Sequence, residues 1–424
     1  MAVSPAFALE EPMIYSDPVL VSVSGNGQYF IAGSERGAIN FFDKTGTLLW
    51  AYPTGKRITG VSTSHTGNYI VINGVDPIDA SNGTLYCFNP HGELLWQSDP
   101  AMGIQQARIS SDGTTIIAAG YTGSPEAREP VMYSLDQTGN VRWKILKMTG
   151  GVSSVALSED GNTIVVGTWG GGGSQDRYDG SVRLFSVNGT MLGKYGTKSW
   201  VIGVDISRDG SSIAAIDRDA VYFLNRDGNL LWNYSSRYQT RSVAISGNGN
   251  FVAAGSQYKV YYFNRTGSLL WDLTDSGYVY SVALSDDGTS VLAGTAPGGN
   301  YQKNGTVYSL NRDGLIRWSF PITGAARSVS TSGSGDVNLV GLWGARGEKD
   351  PSIYVSYQPG KERKIILNAG YYLSPQARPT PYQSLSQTQQ TTTSQPAPLT
   401  MTIIFFALIL SGCAFTILKK IRQL

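Results

Sequence analysis

Short stretches in which apolar and polar residues alternate fill most of the chain, and glycine-containing turns separate them. An alternation with a period of two residues indicates strands that are buried on one face, and Asp-Gly or Asn-Gly turns supply the positive φ of tight hairpins. One unit shows the pattern plainly. Its four predicted strands are Ser242–Ser246, Phe251–Gly255, Lys259–Asn264 and Ser268–Leu273.

Two short motifs recur with this unit at spacings of 39 to 50 residues. The first motif is Gly-x-x-x-Trp, with glycine replacing tryptophan in the fourth copy: Gly46–Trp50, Gly92–Trp96, Gly139–Trp143, Gly189–Gly193, Gly228–Trp232, Gly267–Trp271 and Gly314–Trp318. The second is Ser-x-x-Gly, which begins at Ser24, Ser64, Ser110, Ser158, Ser207, Ser246, Ser285 and Ser332. Four strands per repeat of this length are typical of a β-propeller blade. The sequence therefore predicts an all-β protein, a β-propeller of eight four-stranded blades over residues 15–370; the alternative is seven blades, with the first and last repeats sharing one.

The repeat also resembles a known one. The pattern Val-Tyr-x-Phe/Leu-Asn-x-x-Gly-x-Leu-Leu-Trp, found at Val221–Trp232 and Val260–Trp271, is similar to that of quinoprotein-like (PQQ-like) and WD40-like propellers, including membrane-anchored surface propellers of methanogenic archaea. The resemblance covers over 80% of the chain. It implies the fold and says little about function, since propellers of this kind serve many functions.

Both ends of the chain indicate a membrane protein. Residues 399–418 are uncharged and long enough to cross a bilayer as one helix, and 419–424 form a basic tail that the positive-inside rule assigns to the cytoplasm. Residues 371–398, rich in Ser, Thr, Gln and Pro, read as a disordered stalk. Residues 1–14 look like the remnant of a signal peptide. We expect a single-pass protein with its propeller outside the cell membrane; the alternative is a tail-anchored protein with a cytosolic propeller.

Two further features bear on an external location. Five Asn-x-Ser/Thr sequons are candidate N-glycosylation sites, at Asn82, Asn188, Asn233, Asn264 and Asn304. The two cysteines, Cys87 and Cys413, fall in the propeller and in the predicted membrane helix, so we expect no disulfide between them.

Composition argues against several classes of function. The net charge is +2 and only 15% of the residues are charged, which gives no basic footprint for nucleic acid. The two histidines, His65 and His91, fall at turn positions, so nucleophilic triads and His/Cys zinc sites have no residues to form them. We expect no enzyme activity, no cofactor and no metal. A PQQ-type dehydrogenase or a carboxylate-based hydrolase outside the cytoplasm is the alternative.

What remains is a binding surface. The loops between second and third strands and the connections between repeats vary in length, and a four-stranded meander puts them on one face, here called the variable face. Candidate ligand-binding residues on it are Trp169, Trp200, Trp343, Arg57, Arg108, Arg241 and Arg327, with the four arginines predicted at or just before the start of innermost strands. We expect a non-catalytic binding or scaffold module for a protein or a cell-surface glycan; a structural component of a surface layer is a further alternative.

Overall fold

The computed structural model describes residues 18–123, 129–146, 148–170, 180–297, 304–343, 352–357 and 362–367. The chain divides into two units, 1–381 and 382–424, and all of these residues belong to the first. They form thirty β-strands, joined antiparallel into sheets whose order follows the chain. The protein is thus an all-β β-propeller. Within the described ranges, no helix has the length and hydropathy that crossing a membrane requires, and the predicted span 399–418 lies outside them.

The first five sheets have four strands each. The first is β1 (Val19–Val23), β2 (Tyr29–Ser34), β3 (Ala38–Asp43) and β4 (Leu48–Pro53). The second is β5 (Arg57–Thr63), β6 (Ile70–Val75), β7 (Gly83–Phe88) and β8 (Leu94–Ser98). The third is β9 (Gly103–Ile109), β10 (Thr115–Thr122), β11 (Glu129–Asp136) and β12 (Val141–Leu146). The fourth is β13 (Gly151–Leu157), β14 (Thr163–Trp169), β15 (Gly180–Ser186) and β16 (Met191–Thr197). The fifth is β17 (Val201–Ile206), β18 (Ser212–Asp217), β19 (Ala220–Asn225) and β20 (Leu230–Ser235).

The remaining ten strands form one sheet of six and one of four. The six-stranded sheet is β21 (Thr240–Ile245), β22 (Phe251–Asn264), β23 (Leu269–Leu284), β24 (Ser290–Ala296), β25 (Gly305–Asn311) and β26 (Ile316–Ile322). The last sheet is β27 (Ala325–Thr331), β28 (Asn338–Trp343), β29 (Ser352–Ser356) and β30 (Glu362–Ile366).

The prediction of eight separate four-stranded sheets is therefore not confirmed in that form, because the sixth and seventh repeats share one sheet. Strand β22 contains two predicted strands joined end to end, with its register shifted at Gln257–Lys259 and a left-handed Tyr258 (φ 79°) between them. Strand β23 likewise runs from one repeat into the next. Seven hydrogen-bonded sheets result, the number in the alternative, but the first and last repeats do not share a sheet.

The innermost strand of each repeat is joined to the next by at least one hydrogen bond that involves a side chain. At the closure of the ring, the amides of Val21 and Val23 donate to Ser328 Oγ (3.4 Å) and Ser330 Oγ (3.1 Å). The junction between the first two repeats is a hydroxyl pair, Ser22 with Thr63. At the other junctions a side-chain oxygen accepts from the next inner strand: Ser62 from Ile109, Gln106 from Val155, Ser154 from Val204, Asp205 from Ile245, Ser242 from Val282, and Ser281 from Val329.

Opposite the variable face, the Ser-x-x-Gly turns form what we call the hub. Backbone hydrogen bonds join each turn to the next and close the circle from Gly333 N to Gly25 O (2.8 Å). The second residue of each turn makes these contacts or lies next to the residue that does: Gly25, His65, Ser111, Glu159, Arg208, Gly247, Asp286 and Gly333. Arg208 forms an ion pair with Asp286 across the intervening turn at Gly247, where a Cβ atom would lie 2.8 Å from the Asp286 carboxylate. The hub therefore couples turns that are not neighbours.

Neighbouring sheets pack face to face, which explains why the middle strands are buried on both sides. At the rim, the repeat tryptophan of one repeat packs against the motif glycine of the next. Trp50 Nε1 donates to Pro90 O (3.0 Å), and Gly92 lies against the indole. The same contact recurs in the pairs Trp96–Gly139, Trp143–Gly189, Trp232–Gly267 and Trp271–Gly314.

Candidate binding face

The three candidate tryptophans all lie at the variable face and remain partly exposed. Trp169 ends β14, Trp200 directly precedes β17 and Trp343 ends β28, with exposed fractions of 39%, 44% and 37%. Trp169 and Trp200 pack against each other across neighbouring repeats, their ring centres 5.7 Å apart. Tyr121, at the end of β10, extends this contact, with its ring 6.3 Å from that of Trp169. Trp169 and Trp200 thus combine packing between sheets with an accessible surface, while Tyr121 is buried beside them.

The four candidate arginines do not all lie at the start of their innermost strands, where the sequence predicts them. Arg57, Arg241 and Arg327 are the first, second and third residues of β5, β21 and β27, close to the variable face. Arg108 is the sixth of seven residues in β9, so it lies toward the hub end of its strand. The prediction that Arg108 begins its strand is wrong. Arg241 and Arg327 occupy the same repeat position, five residues before the marker serine.

Arg241 and Arg327 belong to a continuous row of side chains that we call the arginine–aromatic belt. Arg241 lies between two tyrosines, its guanidinium carbon 4.6 Å from the ring centre of Tyr278 and 5.2 Å from that of Tyr280. Arg327 lies 5.9 Å from Tyr280 and 6.0 Å from Trp343. At these distances each guanidinium is attracted to two ring faces at once. The belt is therefore a preformed arrangement of cations and aromatic rings.

The belt continues into the linkage within β22. Tyr258 stacks on Tyr278 at 6.1 Å, and the Gln257 side chain donates to both tyrosine hydroxyls, at 2.9 Å and 3.3 Å. Tyr258 has a positive φ, which is strained for a bulky residue and is found mostly where function requires it. The belt thus consists of Tyr258, Tyr278, Arg241, Tyr280, Arg327 and Trp343. Its three tyrosines are not among the residues predicted from the sequence. Two of them, Tyr278 and Tyr280, lie at the repeat positions that begin an inner strand.

Charge compensation differs sharply between the belt and the hub. In the part of the chain that the structure describes, neither Arg241 nor Arg327 has a carboxylate within 4.0 Å, whereas Arg208 of the hub contacts both Asp286 and Glu159. Arg241 Nε is buried and has no hydrogen-bond partner among the described residues. A buried donor without an acceptor is costly. Among the described residues, the belt therefore presents two positive charges to the variable face with no carboxylate paired to either.

A cavity of about 610 Å³ opens on the same face, between the second, third and fourth sheets. That volume is within the range of ligand pockets. Arg57 lines it, together with Gln105, Gln106, Tyr121 and Ser153. Because Tyr121 also contacts Trp169, the cavity adjoins the Trp169–Trp200 pair. The variable face thus carries a cavity and, at the sixth to eighth repeats, the belt.

Deeper in the ring, Arg108 and Asp205 occupy the same repeat position on the third and fifth sheets, two residues before the marker serine. Burial raises the pKa of Asp205 to about 6, although amide donors from Ile245 and Ile206 and the positive charge of Arg108 lower it in part. Burial also lowers the pKa of Arg108. Both side chains are half-buried, and they place opposite charges toward the hub ends of their inner strands rather than at the variable face.

The two histidines lie in turns, where they contact neighbouring backbone and side chains. His91 N donates to Asn89 Oδ1 in an exposed turn, and His65 packs against Gly25 in the hub. Within the described ranges, no three His, Cys, Asp or Glu side chains come together as metal ligands would.

Four of the sequon asparagines are exposed and Asn264 is half-buried. Cys87 is buried, and Cys413 lies outside the described residues.

Comparison with known families agrees with this architecture. A family model described as "Outer membrane protein assembly factor BamB" matches residues 81–191 and 178–340, which together make up more than half of the chain. The chain belongs to this PQQ-like family. Membership accounts for the tryptophan-containing repeat and the β-propeller, and it leaves the ligand undetermined. No curated protein matches the chain.

Two solved structures of β-propeller domains share the fold of this chain at low sequence identity. The C-terminal WD40 domain of Sif2 is 16% identical, with a TM-score of 0.62 over 81% of this chain and 97% of that one. The β-propeller domain of Cps50 (Swd1) from Myceliophteria thermophila is 15% identical, with a TM-score of 0.50 over 66% of this chain and 92% of that one. These likenesses concern the fold alone.

Proposed function

We propose that this chain is a non-catalytic binding module that recognises a protein or a cell-surface glycan with its variable face. The proposal is carried by one observation, the two guanidinium groups that lie between aromatic rings in the arginine–aromatic belt and have no carboxylate within 4.0 Å in the described part of the chain. Aromatic and arginine side chains are the residues that most often dominate the binding energy of an interface. The Trp169–Trp200 pair and the adjoining cavity extend the same surface.

Truncation of exposed tryptophans tests this function. Trp200→Ala and Trp343→Ala should each reduce the fraction of full-length protein retained on envelope material from cells that lack it. Leu231→Ala is the matched control, because Leu231 is also an exposed apolar side chain (53%) but lies on the outer strand β20. Equal retention of all three variants and the wild type would contradict the proposal and would favour a structural layer component.

We further propose that the chain is a single-pass membrane protein with its propeller outside and its C-terminus in the cytoplasm. The uncharged segment 399–418 and the basic residues after it support this orientation. Glycopeptide mass spectrometry of protein from native membranes should find sugar on at least one of the exposed sequon asparagines, such as Asn188 or Asn233. Protection of the propeller from protease added to intact cells would instead support the tail-anchored cytosolic alternative.

We also propose that the six-stranded sheet counts as two blades, which makes eight in all. In its first half β21 pairs with Val252–Ser256, and Lys259–Phe263 pairs with the start of β23. The second half of β23 then pairs with β24 in the way the other inner strands pair with their neighbours. The hub supports this count with its eight turns. Projection images along the propeller axis should have eight radial arms, and seven would overturn it.

A further inference from the structure

We infer that the arginine–aromatic belt binds an acidic polysaccharide, whose carboxylates pair with Arg241 and Arg327 while its sugar rings lie on Tyr280 and Trp343. The inference rests on the proposed function and names the class of ligand for the same face. It is argued from four properties of the belt and its surroundings: the charge, the spacing of the side chains, their preorganisation, and the hydrogen bonds already made by the neighbouring strand edges.

The positive charge of the belt favours an anionic ligand. Arg241 and Arg327 lie on inner strands of the sixth and eighth repeats, and among the described residues no carboxylate within 4.0 Å neutralises either one. Each guanidinium is a rigid fork of donors that suits a carboxylate. Arg241 Nε has no hydrogen-bond acceptor among the residues that the structure describes. A ligand carboxylate would supply one.

The spacing of the belt suits a chain of rings. Successive steps from Tyr278 through Arg241, Tyr280 and Arg327 to Trp343 are 4.6, 5.2, 5.9 and 6.0 Å. Cation and aromatic face therefore alternate at intervals comparable to the length of one sugar ring. Arg241 and Arg327 are two such steps apart, with Tyr280 between them. A polyuronate laid along the belt can therefore bring the carboxylates of alternate residues to the two arginines, with a sugar ring between them.

The belt is held in position before any ligand arrives. Gln257 donates hydrogen bonds to the hydroxyls of Tyr258 and Tyr278, and the left-handed Tyr258 stacks on Tyr278. Each arginine is confined between two rings, so little side-chain freedom remains to be lost on binding. A preorganised site loses little entropy on binding. It can therefore bind a strongly hydrated ligand, although each contact with such a ligand contributes little binding free energy.

The strand edges beside the belt argue against an acidic peptide. Extended peptides commonly bind by adding a strand to a free sheet edge. Here the inner-edge amides of Val282 and Val329 already donate to Ser242 Oγ (3.0 Å) and Ser281 Oγ (3.1 Å). With these amides occupied, recognition depends on side chains. A polysaccharide can bind through side chains and needs no free strand edge.

Binding of an oligogalacturonate of defined length to the full chain in detergent tests the inference. The same oligomer with its carboxylates methyl-esterified is the neutral probe, and polyglutamate is the acidic peptide. We expect the oligogalacturonate to bind, the ester not to bind, and Arg241→Met and Arg327→Met each to weaken affinity by roughly ten-fold or more. Arg226→Met is the matched control, since Arg226 is an exposed arginine in the turn after β19, on the hub side.

Each contrary outcome has a distinct meaning. Equal binding of polyglutamate, lost in the same arginine variants, would overturn the polysaccharide in favour of a peptide and leave the proposed function intact. Binding of neither polymer would overturn the inference alone, provided that Trp343→Ala still lowers retention on envelope material. If the tryptophan variants are also retained like the wild type, the proposed function fails with it.

Discussion

Trp50 packs against Gly92 so closely that a Cβ atom on Gly92 would lie 2.8 Å from Cγ of the indole. Gly92 also has a φ of 81°, in the left-handed region that favours glycine. The rim of the propeller therefore depends on glycine for two separate reasons, its backbone conformation and its lack of a side chain. The repetition of this contact at five seams explains why the sequence repeats both Trp and Gly.

Gly92→Ala separates these two effects when it is compared with Gly55→Ala. Gly55 has a φ of 66° but open space around its Cβ position. Alanine at Gly55 should cost only the conformational term, roughly 1–2 kcal/mol. Alanine at Gly92 should cost roughly 1–3 kcal/mol more, because the indole must move. Equilibrium denaturation of both variants measures the difference, and equal losses would show that the tryptophan contact tolerates a side chain.

The ring closes without exchange of strands between the first and last sheets, so side-chain bonds at this seam should be locally important. Ser330→Ala removes the acceptor of the Val23 amide. We expect faster hydrogen exchange at Val23, with a loss of roughly 1 kcal/mol of local stability. Ser242→Ala is the control within the ring and should affect Val282 instead. Unchanged exchange at Val23 would mean that other contacts hold the seam.

Asp205 should make stability depend on pH in a predictable direction. Its pKa rises on folding from an ordinary value of 3.8 to about 6. The stability that it contributes is therefore fully present below about pH 4 and is lost as the pH rises through 6. Asp205→Asn keeps an acceptor for the Ile245 amide but cannot ionise. The wild type therefore loses stability between pH 4 and pH 7, and the Asp205→Asn variant does not lose this contribution. The melting temperature of the variant minus that of the wild type should increase over this range, and a difference that does not change with pH would contradict the raised pKa of Asp205.

Cys87 should react with thiol reagents only when the propeller opens. It is fully buried in β7, and burial raises its pKa to about 12. Both effects suppress the reactive thiolate. In a Cys413→Ser chain, labelling should be negligible under native conditions and should follow unfolding as denaturant is added. Rapid labelling of the native protein would show that the second sheet opens locally.

Most of the fold could be predicted because the alternation of apolar and polar residues and the glycine turns mark the strands within each repeat. The pattern predicted Phe251–Gly255 and Lys259–Asn264 as separate strands, and the structure joins them in β22 because the link through Gln257 and Tyr258 stays hydrogen-bonded to β23. Nothing in the alternation of apolar residues reveals such a continuation. It depends on a short loop whose side chains find partners in the next repeat.

The candidate site was only partly predictable, for two physical reasons. Arg108 was assigned to the start of β9 although it lies near the end, because the connections between sheets vary in length and give no fixed origin for counting. Counting back from Ser110 would have located it correctly. The contact of Arg241 with Tyr278 joins residues on successive repeats, which becomes visible only when the ring is assembled.

The most direct test of a binding role for the variable face is site-specific photo-crosslinking in native membranes. A benzophenone side chain introduced at Trp343 or Trp200 should form adducts that are absent when the same group replaces Arg226 on the hub side. Excess oligogalacturonate should suppress the adducts at Trp343. Adducts of equal yield at all three positions, or adducts at Arg226 alone, would contradict recognition through this face.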